Sequence, residues 1–229
     1  SAGSDDRTKN LASVLRGRGL LDLGLTDQAA AAVAAVPTSF SYTTLHSLAS
    51  DYQKNGFQDY MNSNDGILVS DREGTNGLNF ATALDPRVPV TGDGSPSAFD
   101  KQTPRWYYAN ATSFTSPMPI VTGVEARLIE AEAALKANNI SLWLSKLNAA
   151  RAPWGMAAVT DPGTATARVD LMFRERAFAL FASGHRLGDL RRLVRQYGRG
   201  AESVYPTGAY HKDGLQLGTD LQFIIPLTE

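Results

Sequence analysis

Two stretches of helical spacing, separated by a long stretch that lacks it, most constrain what this chain can fold into. Between residues 5 and 36, apolar residues recur at helical spacing as far as Gly24, and an alanine-rich run then continues to Pro37. This pattern predicts a helical hairpin, with Thr26 as the N-cap of its second helix. Helical spacing returns near residue 119, so α-helices are predicted on both sides of the intervening region.

Residues 37–118 differ from their flanks because turn-forming residues dominate them. The pairs at 55–56, 65–66 and 76–77 are Asn-Gly or Asp-Gly, which favour tight turns. Eleven of the 20 aromatic residues also lie here, so we expect an ordered, irregular region rather than a disordered one. Short strands are predicted at 67–70 and 106–109, and no long helix is predicted.

The region 119–199 is predicted to contain two pairs of helices. In the first pair, one helix extends to Ala137 and the other ends at Arg151. The second pair covers about 166–183 and 185–197, with a hinge at Gly184. Small residues on a first helix and apolar residues on its partner are typical of tetratricopeptide-like packing, and a generic helical hairpin is the alternative. Residues 200–229 are predicted to form a loop and a terminal extended segment.

Composition argues against several classes of function. The net charge is −1, which disfavours nucleic-acid binding, and no apolar run is long enough to span a membrane. The chain has no cysteine, so it has no disulfide, thiolate nucleophile or cysteine-bound metal. His46, His185 and His211 lack metal-binding spacing, and no calcium loop, phosphate-binding loop or nucleophile elbow is present. We therefore predict no metal, no cofactor and no catalytic residue.

Arginine is concentrated in residues 172–200, which contain seven of the chain's arginines. Helical spacing predicts an apolar stripe on the first helix of this segment, with Glu175 and Phe178 off the stripe. We interpret the arginines as part of a structural network with carboxylates rather than as a nucleic-acid surface. Three glutamates of the preceding helix pair are expected on a solvated face: Glu125, Glu130 and Glu132.

The sequence Arg-Trp-Tyr-Tyr at 105–108 supplies the candidates for ligand contact. In a strand, Trp106 and Tyr108 lie on one face and Tyr107 on the other. Aromatic rings with a polar edge stack on the apolar faces of sugars and hydrogen-bond to their hydroxyls. We predict that these three residues contact a ligand, with Tyr60 behind them. The alternative is that the rings close a core beside the helices.

The arginine-rich segment resembles the signature of the SusD/RagB family. ERAFALFASGHRLGDLRR matches that signature at Glu175, Arg176, Leu180, Gly184, Arg186, Asp189, Leu190 and Arg192. Ala179 and Ser183 stand where the family usually has glutamates. Three further segments resemble family motifs in the same order along the chain: LDPRVPV at 84–90, VEARLIEAEAALKA at 124–137 and FIIPLTE at 223–229.

The resemblance implies a mainly α, SusD-like fold of tetratricopeptide-like helix pairs, with a long loop-rich insertion and a few short strands. One domain would cover residues 1–229, and the 37–118 region would carry the ligand. Four residues are expected to hold the helices together: Glu175, Arg186, Asp189 and Arg192.

Members of the family bind glycans or other nutrients without catalysis at the outer face of the bacterial outer membrane. They pass the ligand to a SusC-like TonB-dependent transporter. We therefore expect the C-terminal portion of such a lipoprotein, whose lipid anchor this chain lacks. The alternatives are a tetratricopeptide-type scaffold for protein–protein interaction and a helical polysaccharide-degrading enzyme with a carboxylate pair facing a cleft.

Overall fold

The computed structural model describes residues 5–111 and 113–218, and this part of the chain is mainly α-helical with a few short strands. The helices are α1 Asp6–Asp22, α2 Thr26–Val33, α3 Gly56–Asn64, α4 Gly123–Lys136, α5 Ile140–Arg151, α6 Ala165–Ala179, α7 Arg186–Tyr197 and α8 Ala201–Val204. The strands are β1 Ser41–Thr43, β2 Val90–Thr91, β3 Tyr107–Tyr108, β4 Pro119–Thr122, β5 Gly208–Ala209 and β6 Gln216–Leu217. No helix in these residues is long and apolar enough to cross a membrane.

The N-terminal hairpin consists of α1 and α2. Asp5 caps α1, because its carboxylate accepts a hydrogen bond from the Arg7 amide at 3.0 Å. The prediction for Thr26 is wrong, since Leu25 is the N-cap of α2 and Thr26 is already helical. Gly24 has a φ of +77° at the turn between the helices. Helix α2 starts two residues before the alanine-rich run predicted at 28–36 and ends three residues before its end.

The predicted helix pairs are present between residues 123 and 197 as α4–α5 and α6–α7. Asn138 has a φ of +56° at the tight turn after α4, and Asn139 caps α5 by accepting from the Leu142 amide at 3.1 Å. Helix α6 ends at Ala179, four residues before the predicted end. The residues that follow form a non-helical turn instead. Gly184, with a φ of +78°, forms the hinge before α7.

Helix α4 lies at the centre of the fold and packs against α1, α2, α5 and α6. Eleven of its 14 residues are buried. Ile129 packs with Val33 in the cluster that joins α4 to the N-terminal hairpin. Leu128 packs with Trp143 and Met172 in the cluster that joins α4 to α5 and α6. The apolar residues of this one helix therefore connect the two helical parts of the chain.

Strands β1 and β4 form an antiparallel pair that connects the loop-rich region to α4. Ser41 pairs with Thr122, and a bulge interrupts the register between Tyr42 and Thr43. Strand β4 continues directly into α4 at Gly123, where a Cβ would lie 2.6 Å from the Thr38 carbonyl oxygen. The start of α4 is thus held against the β1 segment by a contact that only glycine permits.

The loop-rich region forms its short strands mostly at other residues than predicted, and it also contains a helix. No strand forms at 67–70, where the Val69 amide donates a single hydrogen bond of 2.7 Å to the Trp106 carbonyl. The strand predicted at 106–109 is the two-residue β3, paired with β2. The nine-residue helix α3 also lies in this region. The segment FIIPLTE at 223–229 lies outside the described residues.

Helix α6 is buried on two sides, which corrects the single stripe predicted for it. Phe178 is fully buried, with its ring centroid 5.0 Å from that of Phe80. Phe80 belongs to the loop-rich region, whereas α4 and α5 pack on the other side of α6. Glu175 and Phe178, which lie off the apolar stripe, are therefore buried rather than exposed to solvent.

Candidate functional site

A cavity of about 910 Å³ lies where the loop-rich region meets the helices. Its walls are strands β1 and β4, the first turn of α4, the end of α5 with the turn at 152–154, and the segment 179–185 that follows α6. Ligand pockets of roughly 300–1,000 Å³ accommodate small organic molecules, so this cavity has the size of a binding site.

The walls of the cavity are mostly apolar and include four aromatic side chains, one of which is Tyr108. Phe40 lies beside β1, Phe181 follows α6, and Trp154 closes the turn after α5. Met118 and Ile120 complete the apolar wall on the β4 side. Sequence reasoning missed Trp154, and its only signal was a tryptophan in a Pro-Trp-Gly turn at the end of a helix. The aromatic rings of the cavity wall supply flat, apolar surface to a ligand.

Glu125 is the buried carboxylate of the cavity, and α4 positions it in its first turn. Thr122 caps α4 by accepting from the Glu125 amide at 3.1 Å. The Arg18 guanidinium donates to both carboxylate oxygens, at 2.7 and 2.8 Å, and His185 Nε2 lies 2.9 Å from Oε1. Burial acts to raise the pKa of Glu125, but the hydrogen bonds from Arg18 and His185 outweigh it and leave the pKa below its ordinary value.

Ser183 and His185 lie beside Glu125 on the same wall. Ser183 Oγ is 2.8 Å from His185 Nδ1, so serine, histidine and glutamate follow each other as in a nucleophile–base–acid triad. The Ser183 hydroxyl, however, donates to the Leu180 carbonyl oxygen within the turn after α6. The Leu180 carbonyl therefore competes with the imidazole for the hydroxyl proton.

Arg87 is the second charged side chain of the cavity and is almost entirely buried. Its Nη2 donates to Asp85 at 2.7 Å and its Nη1 to Glu175 at 2.6 Å. Burial acts to lower the pKa of Arg87, but the hydrogen bonds to Asp85 and Glu175 outweigh it and raise the pKa. Arg151 also donates to Glu175 at 2.6 Å, so this carboxylate connects α6 to α5 and to the loop-rich region.

A second buried network connects α4, α6 and α7 next to the cavity. Asp189 accepts two hydrogen bonds of 2.9 Å from Arg176 and one of 2.7 Å from Arg192. Arg192 also donates to Glu132, which accepts from the Tyr197 hydroxyl at 2.9 Å. Arg176 and Arg192 are therefore internal, whereas Arg174 and Arg195 of the same segment are exposed.

Arg186 differs from the other three residues expected to hold the helices together. Burial lowers its pKa, although the Asp189 carboxylate acts in the opposite direction. Within the described residues Arg186 forms no ion pair, and it borders a surface cavity beside α8 instead.

The expectation of a solvated glutamate face is wrong, because all three glutamates on α4 are buried. Glu130 pairs with Arg127 at 2.9 Å and with Lys146 at 3.0 Å. Glu125 and Glu132 bind arginines on α1 and α7, respectively. The glutamates are buried because helices pack around α4 on several sides and supply cationic partners.

The aromatic residues predicted to contact a ligand do not converge on one site. Tyr108 lines the 910 Å³ cavity, and its ring also packs against Phe181 at a centroid distance of 5.3 Å. Trp106 borders a separate cavity of about 260 Å³. The Tyr107 hydroxyl donates to Asp65 at 2.7 Å, and Tyr60 is 64% exposed on the surface of α3. Only Tyr108 is shared between the predicted set and the larger cavity.

Comparison with family models, with curated proteins and with solved structures finds no match to this chain. Within the described residues, no group of three or more histidines and carboxylates is arranged to hold a metal ion. The site is thus characterised by its own geometry: an apolar cavity with aromatic walls and internally paired charges.

Proposed function

We propose that this protein binds a glycan or another nutrient without transforming it, and that the 910 Å³ cavity is the binding site. The observation that carries this proposal is the combination of volume, aromatic walls and a small number of polar groups in one concave site. Phe40, Trp154 and Phe181 offer apolar surface to sugar C–H faces, and Asn110 and Tyr108 offer polar groups at the same wall.

The hydrogen bonds on the cavity wall favour binding over catalysis. A serine nucleophile requires a base that accepts its proton, whereas Ser183 donates to the Leu180 carbonyl. Glu125 is bound by Arg18 and His185, which lower its pKa, so it has no proton to give. A polysaccharide-degrading enzyme would also need a second carboxylate facing the cavity, and no other carboxylate lines it among the described residues.

The biological setting that we propose follows the resemblance to the SusD/RagB family. The helix pairs α4–α5 and α6–α7 support it, as do the sequence motifs that they contain. In this setting the full-length protein is a lipoprotein at the outer face of the bacterial outer membrane, and it delivers its ligand to a SusC-like TonB-dependent transporter. Co-purification of a transporter with the tagged full-length protein is the expected result, and its absence would contradict this setting.

A tetratricopeptide-type scaffold remains the alternative proposal, in which a protein segment binds between helix pairs. The space between α4, α6 and α7 is occupied by the paired side chains of Glu132, Asp189 and Arg192. This arrangement leaves less room for a peptide there than the apolar cavity leaves for a ligand. The geometry therefore favours the cavity.

The proposal is tested by measuring saccharide binding to variants of two tryptophans. We expect Trp154→Ala to weaken binding of any bound oligosaccharide about tenfold or more, since aromatic anchors dominate such contacts. Trp106→Ala is the matched control, because Trp106 borders a different cavity. Thermal unfolding of each variant checks that the fold is intact. Loss of binding in Trp106→Ala alone would place the ligand in the loop-rich region, and a glycan array with no bound member would refute the proposal.

A further inference from the structure

We infer that the ligand of the 910 Å³ cavity is uncharged and carries hydroxyl groups, which identifies a neutral saccharide rather than an acidic or amino sugar. This inference rests on the proposed function and specifies its ligand class. It follows from the state of the charged groups that line the cavity and from the polar groups that remain available.

Among the described residues, Arg87 and Glu125 are the arginine and the carboxylate that line the cavity, and both are bound by partners of opposite charge. Arg87 uses Nε and Nη2 for Asp85, at 2.8 and 2.7 Å, and Nη1 for Glu175. Glu125 receives two hydrogen bonds from Arg18 and lies within 2.9 Å of His185 Nε2. Both side chains are less than 5% exposed. Neither offers an open charge to a ligand.

Among the described residues, the polar side chains that remain available to a ligand are uncharged: the Asn110 amide and several hydroxyls. Thr38, Ser39 and Ser41 line the β1 side of the cavity, and their hydroxyls form no hydrogen bond to another described residue. A hydroxyl both donates and accepts, which matches the hydroxyls of a sugar. The apolar walls opposite them match the C–H faces of the same molecule.

An ionised ligand has no favourable position in this cavity. A carboxylate or ammonium would either displace a partner from a buried ion pair or enter an apolar site without a counter-charge. Both alternatives are less favourable than leaving the charged group hydrated in water. An uncharged polyol avoids both costs, because hydrogen bonds to the hydroxyls on the β1 side of the cavity replace its hydrogen bonds to water.

The experiment uses saccharides that differ mainly in charge, measured by isothermal titration calorimetry with the protein. One pair is chitin oligomers, which are neutral, against chitosan oligomers, which are cationic. The other pair is fully methyl-esterified oligogalacturonates, which are neutral, against unesterified oligogalacturonates, which are anionic and have the same backbone. We expect the neutral member of the bound pair to bind about tenfold more tightly or better, because an unpaired charge in an apolar site is disfavoured.

Two variants of α5 show whether the bound saccharide occupies the cavity. Ala149 lines the cavity, and Ala149→Phe is expected to lower affinity about tenfold or more by filling it. Ser145→Phe adds the same ring at an exposed position on the same helix and is expected to leave affinity unchanged. Comparable unfolding temperatures of the two variants exclude a folding defect.

A third variant introduces the charge that the cavity lacks. Ser39→Arg places an unpaired cation at the rim and is expected to increase affinity for unesterified oligogalacturonates about tenfold, with little effect on neutral oligomers. If charged members bind as tightly as neutral ones in a manner sensitive to Ala149→Phe, the inference is overturned and the proposed function stands. If no saccharide binds the unmodified protein, the proposed function fails and the inference falls with it.

Discussion

Single buried carboxylates at the centre of this molecule bind two cationic side chains each. Asp189 binds Arg176 and Arg192 in a site from which solvent is excluded. Breaking such a buried pair is costly because it leaves the remaining charges without compensation in a medium of low dielectric constant. Individual residues of this kind therefore affect stability far more than a surface ion pair does.

We expect Asp189→Asn to lower the free energy of unfolding by about 3–5 kcal/mol, because two buried guanidinium groups lose their shared counter-charge. Urea unfolding followed by circular dichroism measures this change. Asp161→Asn is the control, since Asp161 binds Arg168 at the surface and such pairs contribute roughly 0–1 kcal/mol. Equal effects of the two substitutions would contradict the assignment of Asp189 as a buried network residue.

The same buried carboxylates predict how stability depends on pH. For Asp189, burial acts to raise the pKa, but Arg176 and Arg192 outweigh it, so that the pKa in the folded state is lowered, as it is for Glu125. Because the folded-state values lie below those of the unfolded chain, this contribution to stability is complete above about pH 5 and is lost as the pH falls through the folded-state values.

We therefore expect the free energy of unfolding to fall as the pH is lowered from 5 to 3. Glu125→Gln should be less stable than the unmodified protein at pH 7 and should show a shallower decline in acid. Urea titrations at several pH values measure both quantities. An identical acid slope in the two proteins would show that the charge of Glu125 does not contribute.

Among the secondary-structure elements, the packing of α1 on α2 depends on one glycine. Gly17 is buried, and a Cβ at this position would lie 2.5 Å from Val33 Cγ1 and 3.3 Å from the Ala29 carbonyl oxygen. Gly19, on the same helix, has no heavy atom within 4 Å of that point. Position 17 therefore has no room for a side chain, whereas position 19 of the same helix has room for one.

Substitution of these glycines by alanine should change stability in opposite directions. Gly17→Ala is expected to destabilise the protein by about 1–3 kcal/mol, because the added methyl group overpacks the contact with α2. Gly19→Ala is expected to stabilise it by about 0.5–1 kcal/mol, because alanine is the better helix former. Denaturant unfolding of both variants gives the sign. Stabilisation by Gly17→Ala would mean that the two helices are not packed this closely.

At the scale of the whole molecule, α4 connects the N-terminal hairpin to the helices that follow it. It contacts α1, α2, α5 and α6 and buries most of its side chains. The segment 45–52, by contrast, exposes Leu45, Leu48 and Tyr52 to solvent. We therefore expect α4 to resist local opening more than 45–52 does, since regions with many buried contacts open only when the protein unfolds.

We expect the backbone amides of α4 to exchange with solvent most slowly, at a rate close to that of global unfolding. Amides in 45–52 should exchange fastest among the segments between α2 and α3, because little apolar packing protects them. Hydrogen exchange detected by mass spectrometry measures both. Rapid exchange throughout α4 would contradict its position at the centre of the fold.

Structural features that depend on residues close together in sequence were predicted better than features that depend on residues far apart in sequence. The ends of α4 and α5 were predicted to within one residue, because caps and apolar spacing act within a few residues. The strand at 67–70 was not formed, since pairing depends on a partner distant in sequence. Of the candidate ligand residues, Tyr108 lines the large cavity, whereas Trp154 carried almost no local signal.

The sequence by itself determined the helix pairs, the turns at Gly24 and Gly184, and the concentration of arginine in one segment, because these features depend on neighbouring residues. Only the tertiary structure decided that the glutamates of α4 are buried and that a cavity forms beside Glu125. Arg18 and His185 reach that carboxylate from positions 107 and 60 residues away. Spacing along the chain does not encode such contacts, since they arise when separately formed elements pack together and exclude water from the charges between them.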